Sequence, residues 1–390
     1  MIIMHTSDCR PGMKLGRALY TEHGHVLAGR GFILTEHAIK RLKQAGFSCL
    51  HIEERGTEDI APDLAVRDET LIVLHGALTH VVEEIAQGAR EKLSANVVSF
   101  LYDAAKLLTE DMKARRDELI LPVNLATMLI DGHKQHFLEH AINVAVCATR
   151  LGLEEGLAGG ELEALTMGAL LHDVGRLLLP NGLKSSLPED PTLYKSHPEL
   201  GYKLLRDSGL PLMTALCALF HHERVDGSGY PLGLKGDRVH PVYQWVGIFD
   251  LFDSLVNGRE NRELCLPHEV LEIMYGNAGT LFDLDKVRRL RDSLVPFPRG
   301  TSVRLSTGEL GVVSALHRDT RQRPIVRVIR SSEGQPLAEP YEVDLKRRLD
   351  LMISGIGGLS VSKTADSVRV PKKERDVIAV APMRLAWQMS

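Results

Sequence analysis

The chain has 390 residues, 44 % of them hydrophobic, with a formal net charge of −4 and a pI near 6.5. That length has material for two or three domains with full cores, and the near-neutral balance excludes a global electrostatic footprint for DNA or an anionic membrane, so any affinity for phosphate has to be local. Cys9, Cys49, Cys147, Cys217 and Cys265 are scattered without a C-x-x-C pair, and neither a leader-like N-terminus nor a long uncharged apolar run occurs, so the expectation is a cytoplasmic protein with no membrane span.

Residues 1–65 read as a small mixed α/β unit. Short β-type runs flank the turn-forming Glu22-His23-Gly24-His25, and Thr35 can cap a brief helix whose apolar face is Ala38, Ile39 and Leu42 and which Gly46 can end. Cys49-Leu50-His51-Ile52 follows as a returning strand. From 70 to 295 apolar residues recur at three- and four-residue spacing, in Leu78 to Ile85, Val97 to Leu108, Leu138 to Leu151 and Leu162 to Leu171, which predicts a mainly α fold built on a helical bundle. Past Pro296-Phe297-Pro298 the pattern turns to strands. Val303-Arg304-Leu305, the turn Ser306-Thr307-Gly308 and Gly311-Val312-Val313 predict a hairpin, and Ile325-Val326-Arg327-Val328-Ile329 alternates, so 296–360 is expected to be a small β-rich appendage. Residues 361–390 carry no assignable pattern and read as a flexible tail.

Inside the helical region fall His140, His172-Asp173, His197, His221-His222 and Asp250. The gaps, roughly two to three dozen residues each, hold two short helices and a connection, which predicts that successive ligands return to one end of the bundle. Asp250 lies in Val242-Tyr243-Gln244-Trp245-Val246-Gly247-Ile248-Phe249-Asp250-Leu251-Phe252, apolar on nearly every side, where an unpaired carboxylate is costly and a cation is the usual remedy. Imidazoles and carboxylates suit divalent transition metals, and seven ligands exceed what one ion holds, so two ions are expected. A single buried histidine is more often a hydrogen-bonded structural residue than a ligand; a set of five with two aspartates is not. His133, in Asp131-Gly132-His133-Lys134, is read as a solvent-exposed loop residue. Asp173 has two oxygens and can bridge both ions, and two metals about 3.5–4 Å apart sharing a hydroxide suit attack on a phosphodiester. The breaker-rich Arg224-Val225-Asp226-Gly227-Ser228-Gly229-Tyr230-Pro231 must be a loop; attached to His221-His222 it overhangs the ligands and offers Tyr230 for stacking.

His172-Asp173-Val174-Gly175-Arg176, Ser196-His197-Pro198-Glu199-Leu200-Gly201, and His221-His222-Glu223 with Asp226-Gly227-Ser228-Gly229-Tyr230-Pro231 resemble, in order and spacing over residues 130–295, the HD-GYP subclass of the HD metal-dependent phosphohydrolases. The N-terminal unit resembles modules found ahead of such domains. The resemblance implies an HD-type bundle that hydrolyses cyclic di-GMP to pGpG, and often onward to GMP, in bacterial second-messenger signalling. Carried over residue by residue, it implies that His140, His172, Asp173 and Asp250 hold one metal and His197, His221 and His222 the second, with Asp173 bridging. Iron is the metal expected on family grounds, with manganese, nickel and zinc compatible. Arg176 stands where the family has a lysine near the scissile phosphate, and lysine to arginine turns a point donor into a planar fork. Arg259 and Arg262 stand where the family grips substrate phosphates, although Asn257 to Arg262 lacks the usual proline and tyrosine. His136 replaces a glutamate that holds a third metal in some members, which makes it a candidate extra ligand. Diguanylate cyclases and other signalling proteins are the partners the resemblance suggests, and the oligomeric state stays open, a dimer included.

Two other readings compete with the active phosphodiesterase. One is a catalytically silent cyclic-dinucleotide receptor or scaffold, against which the complete ligand set argues. The other is an HD phosphohydrolase acting on a different nucleotide, such as another cyclic dinucleotide.

Overall fold

The computed structural model describes residues 1–20, 26–45, 47, 49–63, 65–88, 91–115, 132–180, 182, 191–256, 265–356 and 359–360. The N-terminal unit consists of β1 (Ile2–His5), β2 (Lys14–Leu15), β3 (Leu19–Tyr20), β4 (Val26–Ala28), α1 (Glu36–Gln44) and β5 (Cys49–Glu53). β5 returns antiparallel beside β1, Ile2 opposite Ile52, and gives a sheet of order β1-β5-β2, while β3 and β4 pair separately. Thr35 caps α1, its hydroxyl accepting the Ala38 N–H at 3.1 Å, and Ile39 and Leu42 are buried. The expected turn at Glu22 to His25 and the expected stop at Gly46 lie outside the described residues.

The bundle runs through α2 (Asp68–Ala86), α3 (Ala95–Ala114), α4 (Gly132–Glu154), α5 (Gly159–Leu170), α6 (Pro191–Tyr194), α7 (His197–Asp207), α8 (Leu212–Phe220), α9 (Pro241–Val256), α10 (Pro267–Gly276) and α11 (Leu284–Ser293), with a 3-10 turn at Val174–Leu178. Leu101, Ala104, Ala105, Leu108 and Met112 show why α3 forms: their spacing makes one apolar stripe, all of it buried, and Ser94 caps the start. One hydrophobic core spans the bundle, from Leu74 and Leu78 through Leu108, Leu138, Val144 and Leu165 to Ala218 and Phe249. α5 packs on α4 and α8, and α9 packs on α4 and α8, so the middle of α4, the ends of α5 and α8, the start of α7 and the middle of α9 come together. His133, expected in a loop, lies in the first turn of α4. Gly is also found at helix starts, and here Gly132 lies within α4. No helix among the described residues is long and apolar enough to cross a membrane.

Six strands follow: β6 (Ser302–Leu305), β7 (Leu310–Ala315), β8 (Ile325–Arg330), β9 (Pro336–Asp344), β10 (Ile353–Ile356) and β11 (Leu359–Ser360). They form an antiparallel sheet of order β11-β10-β6-β7-β8-β9, with the expected hairpin pairing Val303 with Gly311. This sheet is more than an appendage. Val313, Val326 and Val328 pack with Phe297 on one face, whereas Val312 and Ile329 on the other join Ile2, Leu15, Leu19, Leu34, Leu50 and Ile52 in the core of the N-terminal unit. Successive strand residues point to opposite faces, so a sheet with apolar residues at both parities needs cover on both sides. The N-terminal unit supplies one side. Arg330 on Glu54 at 2.8 Å and Arg327 on Asp59 at 2.9 Å rim the junction.

Candidate metal centre

Three of the site histidines are placed by one repeated device. His172 follows the end of α5 and its Nδ1–H donates to the Ala169 carbonyl at 2.7 Å; His197 opens α7 and donates to Tyr194 at 2.7 Å; His221 ends α8 and donates to Ala218 at 2.9 Å. In each case the acceptor is the carbonyl three residues back, one that a helix end leaves without an intrahelical partner. His140, in the middle of α4, donates instead to the Asp253 carboxylate of α9 at 2.8 Å, and Asp253 also accepts from Asn143 at 2.7 Å. A carbonyl or carboxylate can only accept, so each Nδ1 carries the proton and each Nε2 of a neutral ring is a bare lone pair.

Those lone pairs face one another. His140 and His172 bring their Nε2 atoms to 3.2 Å, and His197 and His221 bring theirs to 3.3 Å. Two unprotonated nitrogens at that separation repel, and burial, which pushes the His172 pKa down to about 3 and lowers those of His197 and His222, favours the neutral ring at those three residues. A cation between them removes the conflict. Donors around one ion with bonds of about 2.0–2.2 Å stand about 3.0–3.6 Å apart, which is the spacing seen. Carboxylates complete both groups: Asp250 Oδ1 is 3.2 Å from His140 Nε2, and Asp173 Oδ1 is 3.3 Å from His197 Nε2. His222 has neither ring nitrogen in a hydrogen bond, although it is buried. Five imidazoles and two carboxylates, without a thiolate, fit divalent transition metals.

The donors thus divide into His140, His172 and Asp250 on one side and Asp173, His197, His221 and His222 on the other. Asp173 spans the two: Oδ1 faces His197 and His221, while Oδ2 stands 3.9 Å from His172 Nε2 and 4.0 Å from His140 Nε2. Burial alone would raise its pKa, but Arg176, donating through Nη1 to Oδ2 at 2.8 Å, holds it well below the usual carboxylate range. The ligands do not all return to one end of the bundle. His140 and Asp250 sit mid-helix, because α4 and α9 cross at the site rather than ending there.

Close backbone contact sets the positions. A β-carbon on Gly175 would lie 1.9 Å from the His197 carbonyl, and one on Gly229 would lie 2.4 Å from that of His222. Only glycine lets these segments meet. The loop over the site is held by Glu223, whose carboxylate accepts the N–H groups of Leu232 at 2.8 Å and Leu234 at 2.9 Å. The buried Arg224 ties it to the His221 carbonyl at 3.0 Å. Tyr230 does not stand clear of the loop: one face of its ring stacks on His222, with centroids 4.6 Å apart and planes at 25°. At most the other face is open to a base.

The structure brings the seven expected metal ligands together, with Arg176 and Tyr230 against them. His136 is exposed on α4, one turn before His140, and belongs to neither donor group. Arg259 and Arg262 lie outside the described residues. Sequence reasoning missed Asp253, Glu223 and Tyr194, the last with its ring 4.8 Å from that of His197 and its carbonyl holding the same residue. Asp253 had a visible mark, a second carboxylate three residues after Asp250 and so on the same face of an apolar helix.

Residues 124–285 match the HD domain family, and residues 302–356 match a KOW domain associated with HD domain. The cyclic di-GMP phosphodiesterase response regulator RpfG of Xanthomonas campestris is 36 % identical over 180 residues, 44 % of this chain and 47 % of that protein. Cyclic di-GMP phosphodiesterase PA4108 of Pseudomonas aeruginosa is 27 % identical over 341 residues, 81 % of this chain and 82 % of that protein. The 3'3'-cGAMP-specific phosphodiesterase 2 of Vibrio cholerae is 28 % identical over 182 residues, 45 % of this chain and 34 % of that protein. The chain therefore spans about half the length of the first of these and a third of the last, and most of the second. The segment that matches the HD domain family, residues 124–285, is the one in which the histidine and aspartate donors meet beside Gly229-Tyr230-Pro231, and it is over this segment that the chain is similar to that family.

Proposed function

We propose that this protein is a metal-dependent phosphodiesterase that hydrolyses cyclic di-GMP to pGpG and on to GMP. The observation that carries the reading is Asp173, one carboxylate with an oxygen toward each of two donor groups. In this reading His140, His172 and Asp250 would hold one divalent ion and His197, His221 and His222 the other, with Asp173 shared between them. Iron is the first candidate, with manganese, nickel and zinc as alternatives. A bound metal pair lowers the pKa of a shared water and stabilises charge on phosphoryl oxygens.

The chain's own residues do the rest. Arg176 keeps Asp173 ionised and oriented and sets a positive charge beside the bound phosphodiester. Arg259 and Arg262 are proposed to clamp the substrate phosphates. Tyr230 can offer a guanine at most the ring face that does not stack on His222. The loop held by Glu223 limits solvent access to the donors. A cytoplasmic location, a dimer and contact with a diguanylate cyclase or another signalling protein belong to the same proposal.

A second substrate, 3'3'-cGAMP, is favoured by the Vibrio cholerae relative named above. Anaerobic purification, metal analysis, and chromatography of products after parallel incubation with cyclic di-GMP and 3'3'-cGAMP test both readings. Faster linearisation of cyclic di-GMP is the expected result; a preference for 3'3'-cGAMP replaces the first substrate with the second, and no turnover of either by metal-loaded protein leaves the silent receptor.

A further inference from the structure

Four of the five site histidines have a hydrogen bond from Nδ1 that fixes the ring, to Asp253, Ala169, Tyr194 and Ala218 in turn. His222 has none. Neither of its nitrogens finds a hydrogen-bond partner, and Nδ1 stands 3.9 Å from Asp250 Oδ2. A metal-ligating histidine normally gives its second N–H to an oxygen, which sets both the tautomer and the plane of the ring. At His222 something else has to set the plane.

Aromatic rings do so. Tyr230 lies nearly parallel to His222 at 4.6 Å and 25°, and His197 meets it edge-on at 5.0 Å and 87°. These are the two favoured geometries for π systems, an offset stack and a T-shape, and together they leave the imidazole little freedom to tilt. The stack is anchored at the backbone as well, since the Tyr230 N–H donates to the His222 carbonyl at 3.2 Å. Gly229 permits that approach, and the two bonds to Glu223 hold the following residues. The Lys195 ammonium, 5.5 Å from the Tyr230 ring centroid, adds a cation–π contact to the same ring.

We propose that Tyr230 is the positioning residue for His222, its ring replacing the absent hydrogen bond and aiming an imidazole nitrogen into the group formed by Asp173, His197 and His221. The inference rests on the metal-centre reading of the preceding section. Stacking fixes a plane without choosing a tautomer, so His222 presents a lone pair in either form. The tyrosine hydroxyl plays no part in this; the ring does.

The test is titration of the metal-free full-length protein with Mn(II) alone, comparing wild type, Tyr230→Phe, Tyr230→Leu, His222→Ala and the His222→Ala/Tyr230→Leu double variant. Tyr230→Phe should keep two ions per chain at wild-type affinity. Tyr230→Leu should bind one of the two about tenfold more weakly, the lower end of the range for loss of a group that orients a ligand. The double variant should bind no more weakly than His222→Ala, because a residue acting through His222 has nothing left to act on. Wild-type affinity in Tyr230→Leu, equal weakening by Phe and Leu, or an additive double variant each overturns the proposal. A wild type that takes up fewer than two ions overturns the metal-centre reading itself, a separate outcome. Should Tyr230→Leu fail to fold, the Phe variant and the wild type still decide whether the hydroxyl matters.

Discussion

Asp253 accepts the Nδ1–H of His140 at 2.8 Å from one helix turn beyond Asp250, so α9 supplies both a ligand and the group that orients its neighbour's ligand. Asp253→Asn keeps the shape but replaces a charged acceptor with an amide. The expected result is a roughly 10–100-fold loss of affinity for the ion at His140, His172 and Asp250, with the other ion retained. Metal titration followed by elemental analysis of the protein checks it, and two ions held at full affinity would sink the assignment.

Asp173→Ala should abolish turnover and reduce metal content at both donor groups. Removing a shared carboxylate takes away a donor from each side and removes the acceptor of the Arg176 hydrogen bond. Metal content and hydrolysis of cyclic di-GMP are measured together. Retention of both ions with near-normal turnover would contradict a bridging role.

Glu223→Ala should destabilise the fold by about 1–3 kcal/mol, because two loop N–H groups lose their acceptor and the loop over the site loosens. Urea denaturation of the metal-free protein measures this without interference from metal binding.

His75, buried in α2, gives a pH dependence remote from the donor groups. Burial pushes its pKa down to about 4, and its Nδ1 has no hydrogen-bond partner. The folded chain keeps this ring neutral, while the unfolded chain protonates it below about pH 6.5, so unfolding takes up a proton and stability falls as pH drops from there toward 4. The loss between pH 7 and pH 5 should be about 2 kcal/mol. In His75→Leu that part of the slope should vanish; an unchanged slope by chemical denaturation at the two pH values refutes it.

Ile329→Ala, in the C-terminal sheet, should cost about 2–4 kcal/mol and act on the far end of the chain. Ile329 is buried against the N-terminal unit. Hydrogen exchange should therefore quicken in β1 and β5 more than in α3 or α8. Uniform change across the bundle would mean that the shared core is not a cooperative unit.

The metal ligands were legible because five histidines and two aspartates inside apolar helical sequence contradict the burial rules, and a contradiction stands out. Asp253 did not stand out, since one acidic residue in an otherwise apolar stretch already accounts for the anomaly and a second reads as its echo. Glu223 was hidden beside the histidine pair; its work is done on Leu232 and Leu234, about ten residues away, through backbone groups that carry no side-chain signature. The helices and the 302–315 hairpin followed from their periods. The union of the N-terminal unit with the C-terminal sheet did not, because Val312 and Val313 alternate as any strand residues do, and nothing local says that the face bearing Val312 is covered by Leu15 and Ile52.

That union sets an order for synthesis. The ribosome releases β1 to β5 before the bundle, yet their core lacks both Val312 and Ile329 until about 280 more residues have been made, which at about 5–20 residues per second is an interval of roughly 14–55 s. Within it the bundle is made, completes its own core at Leu294 and can close, while the N-terminal unit waits with Leu15, Leu50 and Ile52 short of their cover. The N-terminal unit is made before the bundle and completed after it, and truncation anywhere before β8 leaves that unit incomplete.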